Sequence, residues 1–197
     1  AMLNAAVTED AAARRLLAHW HDDPNLAGRL GDCPFRLDDD GGLHCVRGRG
    51  TLGQLSALDR PVLLLIPHES ALRPVNLLGL DDTSAEVSIG GKPVRLPRAT
   101  LESAWPGEYL GVLRLPDTVA PIVTGALPAW ALAALTRFEA NRSLPALSDQ
   151  TERIRRMQQM HGLRPDGITG PETWWVLSAY LDEGPRLNRP AALTATR

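Results

Sequence analysis

Arg155-Arg156-Met157-Gln158-Gln159-Met160-His161-Gly162-Leu163-Arg164-Pro165-Asp166-Gly167-Ile168-Thr169-Gly170-Pro171-Glu172-Thr173 is the stretch whose reading decides the fold. Just upstream, Ser148-Asp149-Gln150-Thr151-Glu152 opens a helix. Asp149 offers an N-cap oxygen, and Glu152, three residues on, can reach back as in a capping box. Ile154, Met157 and His161 then fall on one face. Gly162 takes the position just past the helix, where a left-handed backbone suits glycine. In the loop that follows, Pro165 sets φ, Asp166-Gly167 turns the chain, and Thr169 or Gly170 caps the next helix. Pro171 fits a first helical turn, where its missing N–H has no partner to lose. Trp174, Leu177 and Leu181 run along one face of that second helix. A third helix is predicted over Trp130 to Glu139, with Trp130, Ala134 and Phe138 aligned. The residues alone predict a compact three-helix unit with an ordered loop, and a fold by itself specifies no function.

Outward from this unit, toward the N-terminus, the pattern changes. Pro116, Pro121, Gly125 and Pro128 punctuate a connector, which places a domain boundary near Pro116 to Pro121 and divides the chain into residues 1–117 and 118–197. Before it, Val62-Leu63-Leu64-Leu65-Ile66 is a continuous apolar run that suits a strand buried on both faces. Val75 to Leu80 is a second strand. Ala85 to Ile89 and Lys92 to Leu96 flank Gly90-Gly91, a two-residue hairpin signal. Pro93 cannot donate to a ladder and should lie on a sheet edge. Thr100 to Trp105 reads as a helical turn and Tyr109 to Leu115 as the closing strand. Thr8 to His21 reads as a helix, with Ala12, Leu16, Leu17 and Trp20 at helical spacing. The first domain is therefore α+β, a small, mostly antiparallel sheet preceded by a helix.

Composition removes several function classes. Twenty-one basic against twenty-three acidic residues leave a net charge of −2, so there is no electrostatic footprint for nucleic acid. No apolar run approaches the roughly 18 residues of a membrane span, and no signal peptide is visible. Cys33 and Cys45 are the only cysteines, and they flank Asp38-Asp39-Asp40-Gly41-Gly42, which reads as a tight turn. Two extended arms around such a turn can bring the sulfurs together. A disulfide in an oxidising compartment is the expectation, with two free thiols in a reducing one as the alternative. Only His44 stands beside them, too few ligands for structural zinc. No metal or cofactor is expected. His19 and His21 are two apart on a helix and do not share a face as an i, i+4 metal pair would. No Gly-x-Ser-x-Gly elbow is present.

The stretch quoted at the start closely resembles the peptidoglycan-binding domain type 1 family: Gln158 in the first helix, Gly162-Leu163, then Asp166-Gly167, Gly170-Pro171 and Thr173 match its pattern. The resemblance implies a wall-binding site on this loop and its helix ends. Peptidoglycan offers N-acetyl sugars and a peptide with carboxylates, for which aromatic faces, amides and arginine are suitable partners. The expected contacts are Gln158, Arg164, Asp166, Gly167, Trp174 and Trp175. Adjacent helical residues point about 100° apart, so Trp174 is expected in the core with Leu177, and Trp175 at the surface.

Leu58-Asp59-Arg60-Pro61-Val62 and Trp105-Pro106-Gly107-Glu108-Tyr109, with the order of elements around them, resemble the periplasmic part of the GspA (ExeA) family of type II secretion assembly proteins. This implies a degenerate papain-like, cysteine-peptidase-like domain ahead of the peptidoglycan-binding module. It also implies an ATPase and one membrane span upstream in the full protein, a GspB-type partner, and help to the secretin as it assembles across the cell wall. A homo-oligomer stays open. In active relatives a histidine opens the strand that here reads Arg73-Pro74-Val75, and arginine cannot serve as a base near neutral pH. The orienting acid would follow the next strand, where Ile89-Gly90-Gly91 stands. His44 and His68 are stray histidines, and a Cys33–Cys45 disulfide would consume both thiols. The resemblance thus implies a non-catalytic periplasmic wall binder. A cell-wall hydrolase or cysteine peptidase targeted by the C-terminal module is the alternative, as is an interaction scaffold that has lost glycan binding.

Overall fold

A computed structural model describes residues 8–33, 35–36, 42–69, 71–116, 124–181 and 184–187. The expected turn at Asp38 to Gly41 and the boundary between 117 and 118 lie outside these residues.

Helix α1 (Glu9–His19) starts where Thr8 Oγ1 accepts from Ala11 N at 3.2 Å, and a 3-10 segment (Pro24–Asp32) follows. Then come β1 (Phe35–Arg36), β2 (Leu43–Arg49), α2 (Leu52–Leu58), β3 (Val62–His68), β4 (Ala71–Leu80), β5 (Ser84–Ile89), β6 (Lys92–Pro97), α3 (Arg98–Ala104) and β7 (Glu108–Arg114). The strands form one sheet in the order β1-β2-β7-β3-β4-β5-β6. After it come α4 (Ala129–Asn141), α5 (Gln150–Met160) and α6 (Pro171–Ala179). Contacts divide the chain into two compact units, residues 1–33, 47–112 and 185–197 in one, residues 34–46 and 113–184 in the other.

In the first unit β3 is central. It pairs antiparallel with both β4 and β7, and Val62, Leu63, Leu64 and Leu65 are all buried, as a continuous apolar run implies. Helix α1 lays Ala12, Ala13, Leu16 and Leu17 into the core over β4 and β3. Asn76, fully buried on β4, donates through Nδ2 to Ala12 O at 3.1 Å, which gives its amide N–H a partner beneath the helix. The β5–β6 hairpin turns through Gly90 and Gly91 at φ 60° and 84°, the pair of positive φ values that a type I′ turn requires. Strand β6 ends the sheet, and Pro93 and Pro97 both lie on it. Gly107, at φ 105°, lets the backbone approach Gly50, where a Cβ would sit 2.7 Å from Gly50 O. The Trp105-Pro106-Gly107 signature is thus a close backbone crossing, steadied by Trp105 Nε1 donating to Glu108 O at 2.7 Å.

Arg60 is 1% exposed and donates to Pro185 O at 2.9 Å, while Leu187 N donates to Asp59 O. The described residues Pro185 to Leu187 therefore belong with the first unit.

Helix α2 was not anticipated. Thr51 and Gln54 form a reciprocal capping box at its start. Strand β4 also begins at Ala71, ahead of the expected Val75. Both cysteines are disulfide-bonded, and since the chain has only Cys33 and Cys45 they are bonded to each other.

Candidate functional site

The second unit builds its loop from inside. Asp149 caps α5 by accepting from Glu152 N at 2.8 Å. Helix α5 ends in a Schellman motif, with Leu163 N donating to Gln158 O at 2.8 Å and Gly162 N to Gln159 O at 3.1 Å, and Gly162 at φ 70°. Gly170 stands at the N-cap of α6 and Pro171 in its first turn.

Gln158 sits at the centre, only 2% exposed. Its Nε2 donates to Ile168 O at 2.9 Å, Asp166 Oδ1 at 3.1 Å and Thr173 Oγ1 at 3.1 Å. Its Oε1 accepts from Gly167 N at 2.9 Å. One amide side chain thereby ties α5, the Asp-Gly turn and α6 together. Asp166 Oδ1 also accepts from Ile168 N at 2.9 Å. That backbone bond holds the Asp166 carboxyl below the usual carboxylate range; burial works against it, and the Gln158 bond and the Arg164 charge add to it. Gly167 has φ 76°, and a Cβ there would lie 2.5 Å from Thr151 Cγ2 and 3.2 Å from Arg155 Nε, so the turn has room only for glycine.

These positions correct two expectations. Trp175 was expected at the surface but is 1% exposed, and Trp174 is 2% exposed. Every residue of α6 from Thr173 to Ala179 is buried, so a 100° separation exchanges one buried face for another. Gln158, expected as a ligand contact, directs its amide inward and orders the loop. Arg164 and Ile168 are exposed, and Asp166 and Gly167 are half-buried.

Sequence reasoning missed two supports. Glu139 on α4 receives Arg153 Nη2 at 2.8 Å and Arg156 Nη2 at 2.6 Å from α5. Burial pushes its carboxyl up, but these hydrogen bonds and charges outweigh that and hold it low. His161, 3% exposed, packs among Phe138 and Tyr180, with Nε2 3.0 Å from the Tyr180 hydroxyl. Burial, aided by the Arg142 charge, lowers its pKa to about 4.

The His161 shift has a pH consequence. A histidine whose folded pKa is depressed favours the fold above its unfolded pKa, near 6.5, and loses that contribution as pH falls toward the folded value. Between pH 7 and pH 5 the helical unit is expected to lose roughly 2 kcal/mol from this group. Urea unfolding at both pH values checks it. A midpoint that does not move, or moves equally in His161→Phe, would contradict it.

In the first unit, Arg73 lies on β4 opposite Ile66 and His68 ends β3 opposite Ala71; in the second, His44 lies on β2 opposite Arg36. Neither cysteine carries a free thiol.

Residues 2–114 match the family model described as GspA, peptidase C39-like domain. The chain belongs to this family. The GspA-family domain here has the expected combination of a helix and an antiparallel sheet of the cysteine-peptidase-like type, followed by the helical region. Residues 148–177 match a second family model, "Putative peptidoglycan binding domain". The chain is 26% identical over 205 residues to the General secretion pathway protein A of Aeromonas hydrophila, an alignment that takes in 96% of this chain and 37% of that relative. It therefore spans little more than a third of the relative's length. In fold it is similar to a periplasmic domain of the EpsAB fusion protein of the Vibrio vulnificus type II secretion system. That likeness has TM-score 0.51 and 17% identity, and covers 89% of this chain and 79% of that one. The N-terminal peptidase C39 like domain of a toxin secretion ATP-binding protein from Vibrio parahaemolyticus matches 56% of this chain and 100% of its own, at TM-score 0.40 and 18% identity. Among the described residues, no helix is long and apolar enough to cross a membrane.

Proposed function

We propose that this chain binds peptidoglycan without cutting it, in the periplasm, as part of a longer type II secretion assembly protein. In this reading residues 1–117 are a peptidase-like scaffold and residues 118–197 the wall-binding module. A GspB-type protein is the partner, and the task is to help the secretin assemble across the wall. The observation that carries the reading is the Gln158-centred hydrogen-bond cluster. It presets the Asp166-Gly167 loop within the region that matches the peptidoglycan-binding family. A preset loop loses little conformational entropy on binding.

The absence of catalysis is supported by chemistry. A cysteine peptidase needs a thiolate, a histidine base and an orienting group. Here both sulfurs are in a disulfide, and arginine stands at position 73. The disulfide also suits an oxidising compartment.

The test is sedimentation of the purified chain with insoluble peptidoglycan sacculi, with assay of the supernatant for released muropeptides. Pelleting without release is expected. Release would favour a wall hydrolase. Protein left in the supernatant would overturn the reading in favour of an interaction scaffold.

A further inference from the structure

We infer that the loop recognises the carboxylates of the peptide stem, through Arg164, and not the sugars of the glycan strand. This inference rests on the peptidoglycan reading above and specifies its ligand.

Two observations carry it. First, the helical unit has no open aromatic face. After the connector the sequence holds Trp130, Phe138, Trp174, Trp175 and Tyr180. Phe138, Trp174 and Trp175 are buried. Trp130 is half-buried against Trp174, with ring centroids 5.5 Å apart. Tyr180 is half-buried edge-on to Phe138, and its hydroxyl is bonded to His161. The rings that would stack on a pyranose are engaged in the core.

Second, among the described residues from α4 to α6, every arginine but Arg164 is engaged within the unit. Arg137 donates to Tyr180 O, Arg142 lies over the Phe138 ring, Arg153 and Arg156 hold Glu139, and Arg155 pairs with Glu152. No lysine occurs after Lys92. Arg164 is exposed on the loop, its carbonyl accepts from Asp166 N at 2.9 Å, and among the described residues its side chain has no hydrogen-bond or ion-pair partner. Its neighbour Asp166 feels the Arg164 charge but forms no ion pair with it, and Asp166 Oδ1 is held instead by Ile168 N and Gln158 Nε2.

An open guanidinium fits a carboxylate bidentately. In intact peptidoglycan the lactyl group of the glycan is amide-linked and uncharged, so the carboxylates lie on the peptide. The exposed Pro165 and Ile168 on the same loop suit the small apolar side chains of such a peptide.

The experiment is competition during sedimentation of the full chain with sacculi. Three soluble probes are used at equal concentration: a synthetic stem peptide with free carboxylates, the same peptide with its carboxylates amidated, and an N-acetylglucosamine oligomer. The free peptide should displace the protein, and the other two should not. Arg164→Gln should weaken pelleting about tenfold, with an unchanged thermal transition, and Arg164→Lys should recover part of it. Displacement by the sugar oligomer, equal displacement by the amidated peptide, or wild-type pelleting by Arg164→Gln would overturn the inference while leaving wall binding intact. A wild-type chain that fails to pellet at all overturns both readings. The competition arms use the wild-type protein, so they decide the matter even if a variant folds poorly.

Discussion

Replacing Gln158 by leucine is expected to destabilise the helical unit by about 3 kcal/mol, the upper range for a single substitution. The side chain is buried and makes four hydrogen bonds. Leucine fills a similar volume but offers none of them. Asp166 Oδ1 keeps its bond from Ile168 N, and Ile168 O keeps a longer one from Thr173 Oγ1 at 3.4 Å. Gly167 N loses the acceptor it has in the wild type, and Thr173 Oγ1 loses its donor. The loss should therefore be concentrated in the loop. Urea unfolding gives the magnitude, and the amide resonances of Gly167 and Ile168 should shift while those of β3 stay in place. A change below about 1 kcal/mol would mean that the turn is ordered by its glycines alone. Wall binding should fall with loop order, although Gln158 itself is sealed from any ligand.

The second large effect concerns Cys33 and Cys45. A crosslink closing so short a segment restricts the unfolded chain by about 3 kcal/mol, and for a chain of this size that corresponds to roughly 6–12 °C in melting temperature. Reduction with a thiol, or the double change Cys33→Ser with Cys45→Ser, should lower the melting temperature by that amount. The same reduced protein is the sharper test of chemistry. It carries the free thiols that a cysteine peptidase needs, yet it should cleave neither sacculi nor peptide. Cleavage that appears only on reduction would show that the bond silences an intact nucleophile, and the proposed inertness of the domain would fall.

Much of this arrangement was legible in local sequence. Gly162, Asp149 and Pro171 are termination and capping signals, and their meaning depends only on backbone geometry within a few residues. The apolar run at Val62 to Leu65 and the Gly90-Gly91 turn are of the same kind. The capping box at Thr51 and Gln54 was also available, but helix α2 spans only Leu52–Leu58 and is too short for apolar periodicity to show. Trp175 was misplaced for a different reason. Helical spacing tells which residues share a face, but not how many faces are covered, and α6 is covered throughout. The Glu139 pairings with Arg153 and Arg156 join residues on separate helices, and nothing in their local spacing signals them. Gln158 was found by resemblance, but its role as an internal tie becomes clear only when Ile168 and Thr173 are seen around it.

The outer strand of the sheet has a consequence for assembly. From the register in which Ile89 faces Lys92, alternate residues of β6, namely Pro93, Arg95 and Pro97, direct their backbone groups away from β5. Two of these three have no N–H. An incoming strand would find carbonyls to donate to but a single amide donor, at Arg95, to receive it. That side of the sheet is a poor template for zippering, whether by a second copy or an unfolding neighbour. An extended chain that passes along this edge is thus not readily drawn into the sheet.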